Sequence, residues 1–239
     1  MAETNNSALA NETSEAVHQI VERLVNEIAH DIRNFAHAIG LQAELGARHA
    51  ADPLAARSHF EAVSRQLDKL KGYLEHLLLF GRPFQPQPVA LEPVALLRET
   101  AQQVSARLSP EGPPPVIEVV AQGDTGPAVW DRRGMHAAFA ALLDNALRSA
   151  PAPPPVHVVV EPAGEQVRVT VRDEGCGMDA ATLAALSQPM AVRRPGGAGL
   201  GLAVARKIIR AHGGQLSITS GPGGTTVCLE IPREPIARG

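Results

Sequence analysis

Aromatic residues are scarce in this chain: Phe, Tyr and Trp make up 3% of 239 residues. A core must therefore be built mainly from Leu, Val, Ile and Ala. Hydrophobic residues at 44% supply it, and charged residues at only 20% argue against global disorder. Cysteine is nearly absent. Cys176 and Cys228 have no metal-like spacing, and a reduced cytoplasmic setting fits them better than a disulfide scaffold. No apolar run approaches the ~20 residues that cross a bilayer. The first fifteen residues are polar, so neither a membrane span nor a signal peptide is expected. A net charge of -3 gives no general reason to expect nucleic acid or an anionic membrane as partner.

What the chain does contain is periodicity. Val17, Val21, Leu24, Ile28, Ile32, Phe35 and Ile39 recur at spacings of three and four, predicting one helix from about Ser14 to Ala50. Asp52-Pro53 supplies a turn and a second helix start. Phe60, Val63, Leu67, Leu70, Leu74 and Leu77 then alternate like a coiled-coil seam, until Gly81-Arg82-Pro83 ends it. Two such helices make an antiparallel hairpin whose second face stays wet. Pairing two hairpins into a four-helix bundle covers that face, so a homodimer is expected.

Pro83, Pro86 and Pro88 mark a linker, and the pattern beyond it is mixed. The organisation read from this is a polar tail over 1–14, a helical hairpin over 15–82, a Pro-rich linker over 83–92, an α/β domain over 93–233 and a tail over 234–239. Within the α/β domain, helices are expected at Pro93–Leu108, Arg132–Ser149, Asp179–Ser187 and Leu200–His212. Strands are expected at Val116–Val120, at Val156–Val160 with Val167–Val171 turning at Ala163-Gly164, and at Leu216–Thr219 with Thr226–Ile231. Strands on one side and helices on the other imply a two-layer α/β sandwich.

Four segments of this half carry chemistry, in order: Asn145; Asp173-Glu174-Gly175-Cys176-Gly177; Gly197-Ala198-Gly199-Leu200-Gly201-Leu202; and Gly221-Pro222-Gly223-Gly224-Thr225. The first glycine pair alone suits a tight turn, but with Asp173 it also suits an adenine amino group. The second cluster precedes a helix, where backbone N–H groups can face an anion; it is neither a P-loop nor a Rossmann fingerprint. Arg193 and Arg194 just upstream could cover phosphates or simply be solvated. Asn145 lies in an apolar helix, where an amide is costly to bury without a partner such as Mg²⁺ or a backbone group. In the first long helix, His30 sits roughly 200° from both Ile28 and Ile32, which points it to solvent with Asn34 on the same face. An exposed imidazole beside a carboxylate, Asp31, can act as a nucleophile. His18, His37, His49, His59 and His76 lie on the same hairpin, so geometry alone does not select His30.

Together these segments resemble the transmitter core of two-component sensor histidine kinases over roughly residues 15 to 233. His30-Asp31-Ile32-Arg33-Asn34 is similar to the H-box and Leu142-Leu143-Asp144-Asn145-Ala146 to the N-box. Asp173–Gly177 and Gly197–Leu202 are similar to the G1 and G2 boxes, and Gly223-Gly224-Thr225-Thr226 to the last glycine motif. Ala211-His212-Gly213-Gly214 also matches a stretch frequent in the family. The resemblance implies a HisKA-like hairpin joined to the Bergerat ATP-binding fold, with ATP and Mg²⁺ as cofactors. His30 would be the phosphoacceptor, Asp31 its base, Asn145 the Mg²⁺ ligand and Asp173 the reader of adenine. Gly175, Gly177, Arg193, Arg194, Gly197, Gly199, Leu200, Gly201, Leu202 and Thr225 would form the lid and phosphate cradle. Phosphate would pass to an aspartate of a response-regulator receiver domain, and Asn34 matches members that also dephosphorylate the regulator. An upstream sensor or input protein is implied, since no sensor segment is evident. The chain departs from the family at Ala141, where Asn, His or Glu is usual; in Leu186-Ser187-Gln188-Pro189-Met190, where a Phe-rich box is usual; and at Phe35, where proline is frequent. The alternative reading is a histidine phosphotransfer or scaffold protein with a vestigial ATP domain, against which the intact glycines argue.

Overall fold

The computed structural model describes residues 2–108, 113–150, 155–186 and 200–234. The chain divides into two units, Met1–Glu75 and His76–Gly239.

The first unit is a helical hairpin. Helix α1 covers Ala2–Arg48 and α2 covers Pro53–Gly81, its last turn belonging to the second unit. Helix α1 starts earlier than periodicity suggests, because residues 2–13 contain no proline or glycine to stop it. The turn between the helices is closed by Asp52, whose Oδ1 accepts the N–H groups of Leu54 (3.1 Å) and Ala55 (3.2 Å) and so caps α2. The expected seam splits in two. Val63, Leu70 and Leu77 are half-buried, whereas Phe60, Leu67 and Leu74, seven residues apart, remain exposed, as do Val21, Val25 and Ile32 on α1. The buried aromatic of α2 is Tyr73, off that seam, with its ring 5.7 Å from Phe35.

The second unit is a two-layer α/β sandwich. Its elements in chain order are β1 (Val89–Leu91), α3 (Pro93–Leu108), β2 (Ile117–Ala121), β3 (Ala128–Trp130), α4 (Arg132–Leu147), β4 (Val156–Ala163), β5 (Gln166–Asp173), α5 (Ala180–Ala185), α6 (Gly201–Ala211), β6 (Gln215–Gly221) and β7 (Gly224–Pro232). Five strands form one sheet in the order β2-β4-β5-β7-β6, antiparallel except for β2 beside β4. Alternation explains the layers. Val156, Val158 and Val160 of β4, Val167, Val169 and Val171 of β5, and Leu229 and Ile231 of β7 all face inward and are fully buried or nearly so. They meet Leu96 and Leu97 of α3, Met135, Phe139 and Leu143 of α4, and Val204, Ile208 and Ile209 of α6. The outward face is polar: Arg168 on β5 bridges Glu161 (3.1 Å) and Glu230 (2.8 Å), and these partners raise its pKa, Glu230 foremost.

The strands β1 and β3 pair with each other in a separate two-stranded sheet. At three residues each, they are too short for periodicity to reveal.

A network ties the start of this unit to α4 and α6. Lys207 of α6 donates from Nζ to the carbonyls of Leu79 (2.9 Å), Phe80 (2.7 Å) and Arg82, capping the last turn of α2 with a cation. Asp131 caps α4 by accepting the Gly134 N–H at Oδ1 (2.6 Å), and takes the Gln87 N–H at Oδ2 (2.7 Å). His212 closes the loop. Its Nδ1 donates to the Ile208 carbonyl (2.8 Å) and its Nε2 accepts the Asp131 N–H (2.9 Å), so the histidine of Ala211-His212-Gly213-Gly214 is a buried structural bridge.

Candidate functional site

The glycine turns of the second unit interlock. Strand β5 ends at Asp173, paired in register with Thr225 of β7. Gly177 follows with φ 64°, and a Cβ there would overlap the carbonyl oxygen of Gly221. Gly224, with φ 114°, is pressed against the carbonyl of Asp173 in the same manner. Both positions therefore require glycine on two counts, backbone angle and space. Polar bonds pin the contact: Met178 N–H donates to Ser220 Oγ (2.9 Å), which also lies 2.9 Å from Thr225 Oγ1.

Asp173 is buried at the base of this turn. Its Oδ1 accepts the Gly175 N–H (2.9 Å), and an ionised carboxylate retains lone pairs for a further donor such as an amino group. Gly175 has a separate reason to lack a side chain, since a Cβ would overlap Ser149 Oγ. Ser149, just past the end of α4, holds the Cys176 N–H at its carbonyl (3.3 Å), while its own hydroxyl is buried without a hydrogen-bond partner among the described residues. Sequence reasoning passed over Ser149. Its only signal was its place four residues after Asn145, just beyond the end of α4.

One turn earlier, α4 faces the start of α6. A Cβ on Gly201 would lie 3.4 Å from Ala141 Cβ and 3.8 Å from Asn145 Nδ2, so Gly201 sits over both. The expectation that Asn145 is a buried amide is corrected: it is exposed, as the apolar stripe of α4 turns inward on either side of it. Asp144 beside it is half-buried between Arg107 (3.1 Å) and Arg148 (2.7 Å). Among the described residues no side chain caps the α6 N-terminus, which leaves its first backbone N–H groups beside Asn145 for an anion. Leu200 is buried beneath that terminus and Leu202 half-buried. Arg193, Arg194, Gly197 and Gly199 lie outside the described residues, as do Ser187–Met190; Leu186 ends α5.

In the first unit, His30 points outward, its side chain 60% exposed, while the buried Asp31 side chain is only 11% exposed. Asn34 shares the His30 face and its Nδ2 lies 3.1 Å from His30 Nδ1. An amide nitrogen only donates, so this bond puts the ring proton on Nε2. Asp31 Oδ1 stands 3.6 Å from the same Nδ1, outside hydrogen-bond range. Two groups thus compete for one nitrogen with opposite chemical effect. When Asp31 takes an Nδ1–H, the exposed Nε2 keeps a lone pair and becomes nucleophilic.

Residues 130–235 match the family described as histidine kinase-, DNA gyrase B- and HSP90-like ATPase. The chain is 26% identical over 216 residues to the signal transduction histidine-protein kinase AtoS of Escherichia coli, covering 89% of this chain but 35% of AtoS. It is 27% identical over 241 residues to the sensory histidine kinase/phosphatase NtrB of Salmonella typhimurium, covering 95% of this chain and 67% of NtrB. Its fold is that of the histidine kinase ThkA solved in complex with the response regulator protein TrrA, with a TM-score of 0.70 at 21% identity, covering 92% of this chain and 64% of that one. Among the described residues no helix is long and apolar enough to cross a membrane. Residues 130–235 thus belong to the histidine kinase-, DNA gyrase B- and HSP90-like ATPase family, and the chain is built as a two-component sensor histidine kinase transmitter core.

Proposed function

We propose that this chain is a cytoplasmic, ATP-dependent protein histidine kinase. It autophosphorylates His30 and passes the phosphoryl group to an aspartate of a response-regulator receiver domain. The observation that carries this reading is the interlocked pair of glycine turns, with Asp173 at its base, Ser149 just past the end of α4, and Asn145 of α4 beside the α6 N-terminus. Such an arrangement gives adenine a carboxylate and gives phosphates uncapped N–H groups.

The residue types suit Mg²⁺, because an asparagine on the exposed side of α4 beside an anion site can offer an oxygen ligand while water and phosphate oxygens supply the rest. Asn145 would hold it, and the ion would neutralise charge on the phosphates during transfer. Arg193, Arg194, Gly197 and Gly199 complete the lid and cradle in this reading, with Gly175, Gly177, Leu200, Gly201, Leu202 and Thr225. Asp31 accepts the Nδ1 proton as His30 Nε2 attacks the γ-phosphorus, the P–O bond to ADP breaks, and ADP leaves. Asn34 serves the reverse duty of orienting a water for regulator dephosphorylation; the name of the relative NtrB joins the same two activities.

We assign residues 15–82 to the phosphoacceptor hairpin, 83–92 to the linker and 93–233 to the ATP-binding domain. The exposed apolar row Phe60, Leu67 and Leu74, with Val21, Val25 and Ile32, supports a homodimer in which two hairpins form a four-helix bundle. An upstream input protein completes the circuit.

The test is incubation with γ-labelled ATP and Mg²⁺. Acid-labile, base-stable label is expected in the parent and absent in both His30→Gln and Asn145→Ala. Label retained in His30→Gln sinks the site assignment. Phosphate acceptance from another phosphoprotein, without any ATP-dependent label, favours the phosphotransfer reading.

A further inference from the structure

We propose that His49 and His59 form a site for a divalent transition-metal ion of the Zn²⁺, Ni²⁺ or Cu²⁺ class at the closed end of the helical hairpin. His49 follows the last residue of α1, and His59 lies two turns into α2. Their rings are stacked, with centroids 5.2 Å apart and planes 18° from parallel. Each ring is held by its Nδ1 to an acceptor on α1: His49 to the Leu45 carbonyl (2.9 Å) and His59 to Gln42 Oε1 (2.8 Å).

A carbonyl oxygen cannot donate, so Nδ1 carries the proton in both rings and each Nε2 keeps its lone pair. This is the arrangement found in metal-bound imidazoles, where the distal N–H is tied to a carbonyl or carboxylate that fixes tautomer and orientation. With both Nδ1 atoms engaged on acceptors of α1, both Nε2 atoms are left for an ion.

A tetrahedral ion at about 2.0–2.1 Å from each nitrogen spaces the two by roughly 3.4 Å. Two imidazoles sharing such an ion have ring centroids roughly 5 Å apart, and the centroids here are 5.2 Å apart. Gly46 makes the close approach of the helices here; a Cβ at that position would already stand 3.3 Å from His59 Cβ. His59 is half-buried and rigidly placed, while His49 is exposed and gives the ion a path from solvent. Among the described residues no group of three or more His, Cys, Asp or Glu forms a metal cluster, so water fills the remaining positions and the ion exchanges. Imidazole pairs select borderline transition metals, whereas Mg²⁺ takes oxygen ligands and does not compete.

The ligands come from either side of the hairpin turn, so occupancy cross-links the two helices and raises their stability. The site shares no residue with the proposed ATP pocket or with the His30 segment.

The full chain is titrated with Cu²⁺, read by electron paramagnetic resonance, and with Zn²⁺, read by calorimetry, both in excess Mg²⁺. One site with coupling to two imidazole nitrogens is expected, along with a higher melting temperature. His49→Gln or His59→Gln reduces the coupling to one nitrogen. Gln42→Leu, which removes the acceptor that orients His59, weakens binding by about 10-fold. His136→Gln leaves the site unchanged, and circular dichroism checks that every variant remains helical. An unaltered isotherm and two-nitrogen signal in the His49→Gln, His59→Gln double variant overturns the proposal, and so does a parent chain that takes up neither ion.

Discussion

Replacing Gly177 by Ala attacks the contact on which the proposed nucleotide pocket depends. At φ 64°, an alanine costs about 1–2 kcal/mol relative to glycine. Its Cβ would also overlap the Gly221 carbonyl, so the 173–177 turn or the β6–β7 turn must give way, and forced repacking of this kind costs about 1–3 kcal/mol. Taken together, a loss of about 3 kcal/mol is expected, which corresponds to roughly 6–12 °C in melting temperature for a domain of this size. Displacement of the turn moves Asp173, so affinity for a fluorescent ATP analogue should fall in parallel. Gly223→Ala is the control. It lies in the same β6–β7 turn, but a Cβ there meets nothing within 4 Å, so its effect should stay within about 0.5 kcal/mol. Equal effects of the two substitutions, or a Gly177→Ala chain that melts and binds like the parent, would refute the interlock.

Three further outcomes are expected. Asp31→Asn removes the acceptor that would draw the Nδ1 proton, and should slow autophosphorylation by about 10²-fold or more at unchanged ATP affinity; Asn34→Ala, which frees Nδ1 for Asp31, should leave labelling intact or faster while regulator dephosphorylation drops. Ser149→Ala deletes a buried hydroxyl that has no partner among the described residues, so thermal stability should change by less than about 0.5 kcal/mol. Nucleotide affinity should fall if that hydroxyl serves the pocket, and unchanged affinity assigns Ser149 to packing alone. The Asp179 carboxyl is held below its ordinary value chiefly by the Thr182 N–H, which it accepts at 2.7 Å as the cap of α5. A lowered folded-state value means the cap's contribution is complete above the ordinary carboxylate range near pH 4 and fades as pH falls through the depressed value. Amide-exchange protection of the first turn of α5 should show that loss, and Asp179→Asn should abolish its pH dependence.

Much of the fold was legible in the residues. The spacing of Val156, Val158 and Val160 against Val167, Val169 and Val171 announced a hairpin with one wet face, and that is how β4 and β5 pair. The two strands β1 and β3 were not legible, since three residues carry no period. The hairpin seam was legible as apolar but not as divided. Which half of it a single chain covers depends on how the two helices rotate against each other, and that is settled by Tyr73 and Phe35 rather than by leucine spacing. Asn145 illustrates the reverse case: its residue type drew notice, but an apolar neighbourhood in sequence was mistaken for burial, although one helical residue can face out between inward neighbours.

Local chemistry along the chain was enough to find the glycines, the carboxylate and the outward histidine, because turns, caps and helix faces are set by residues within a few positions of each other. It could say that Gly177 and Gly224 allow tight turns, but not that Gly177 is wedged against the end of β6 and Gly224 against the end of β5. Nor could it show that Gly201 rests on Ala141 and Asn145, that Ser149 fills the space beside Gly175, or that His49 and His59 stack across a turn. Those contacts join residues tens of positions apart, or on two different helices. They exist only once β7 pairs with β5, α6 packs on α4 and the hairpin closes, since only then do backbone and side chain compete for the same volume.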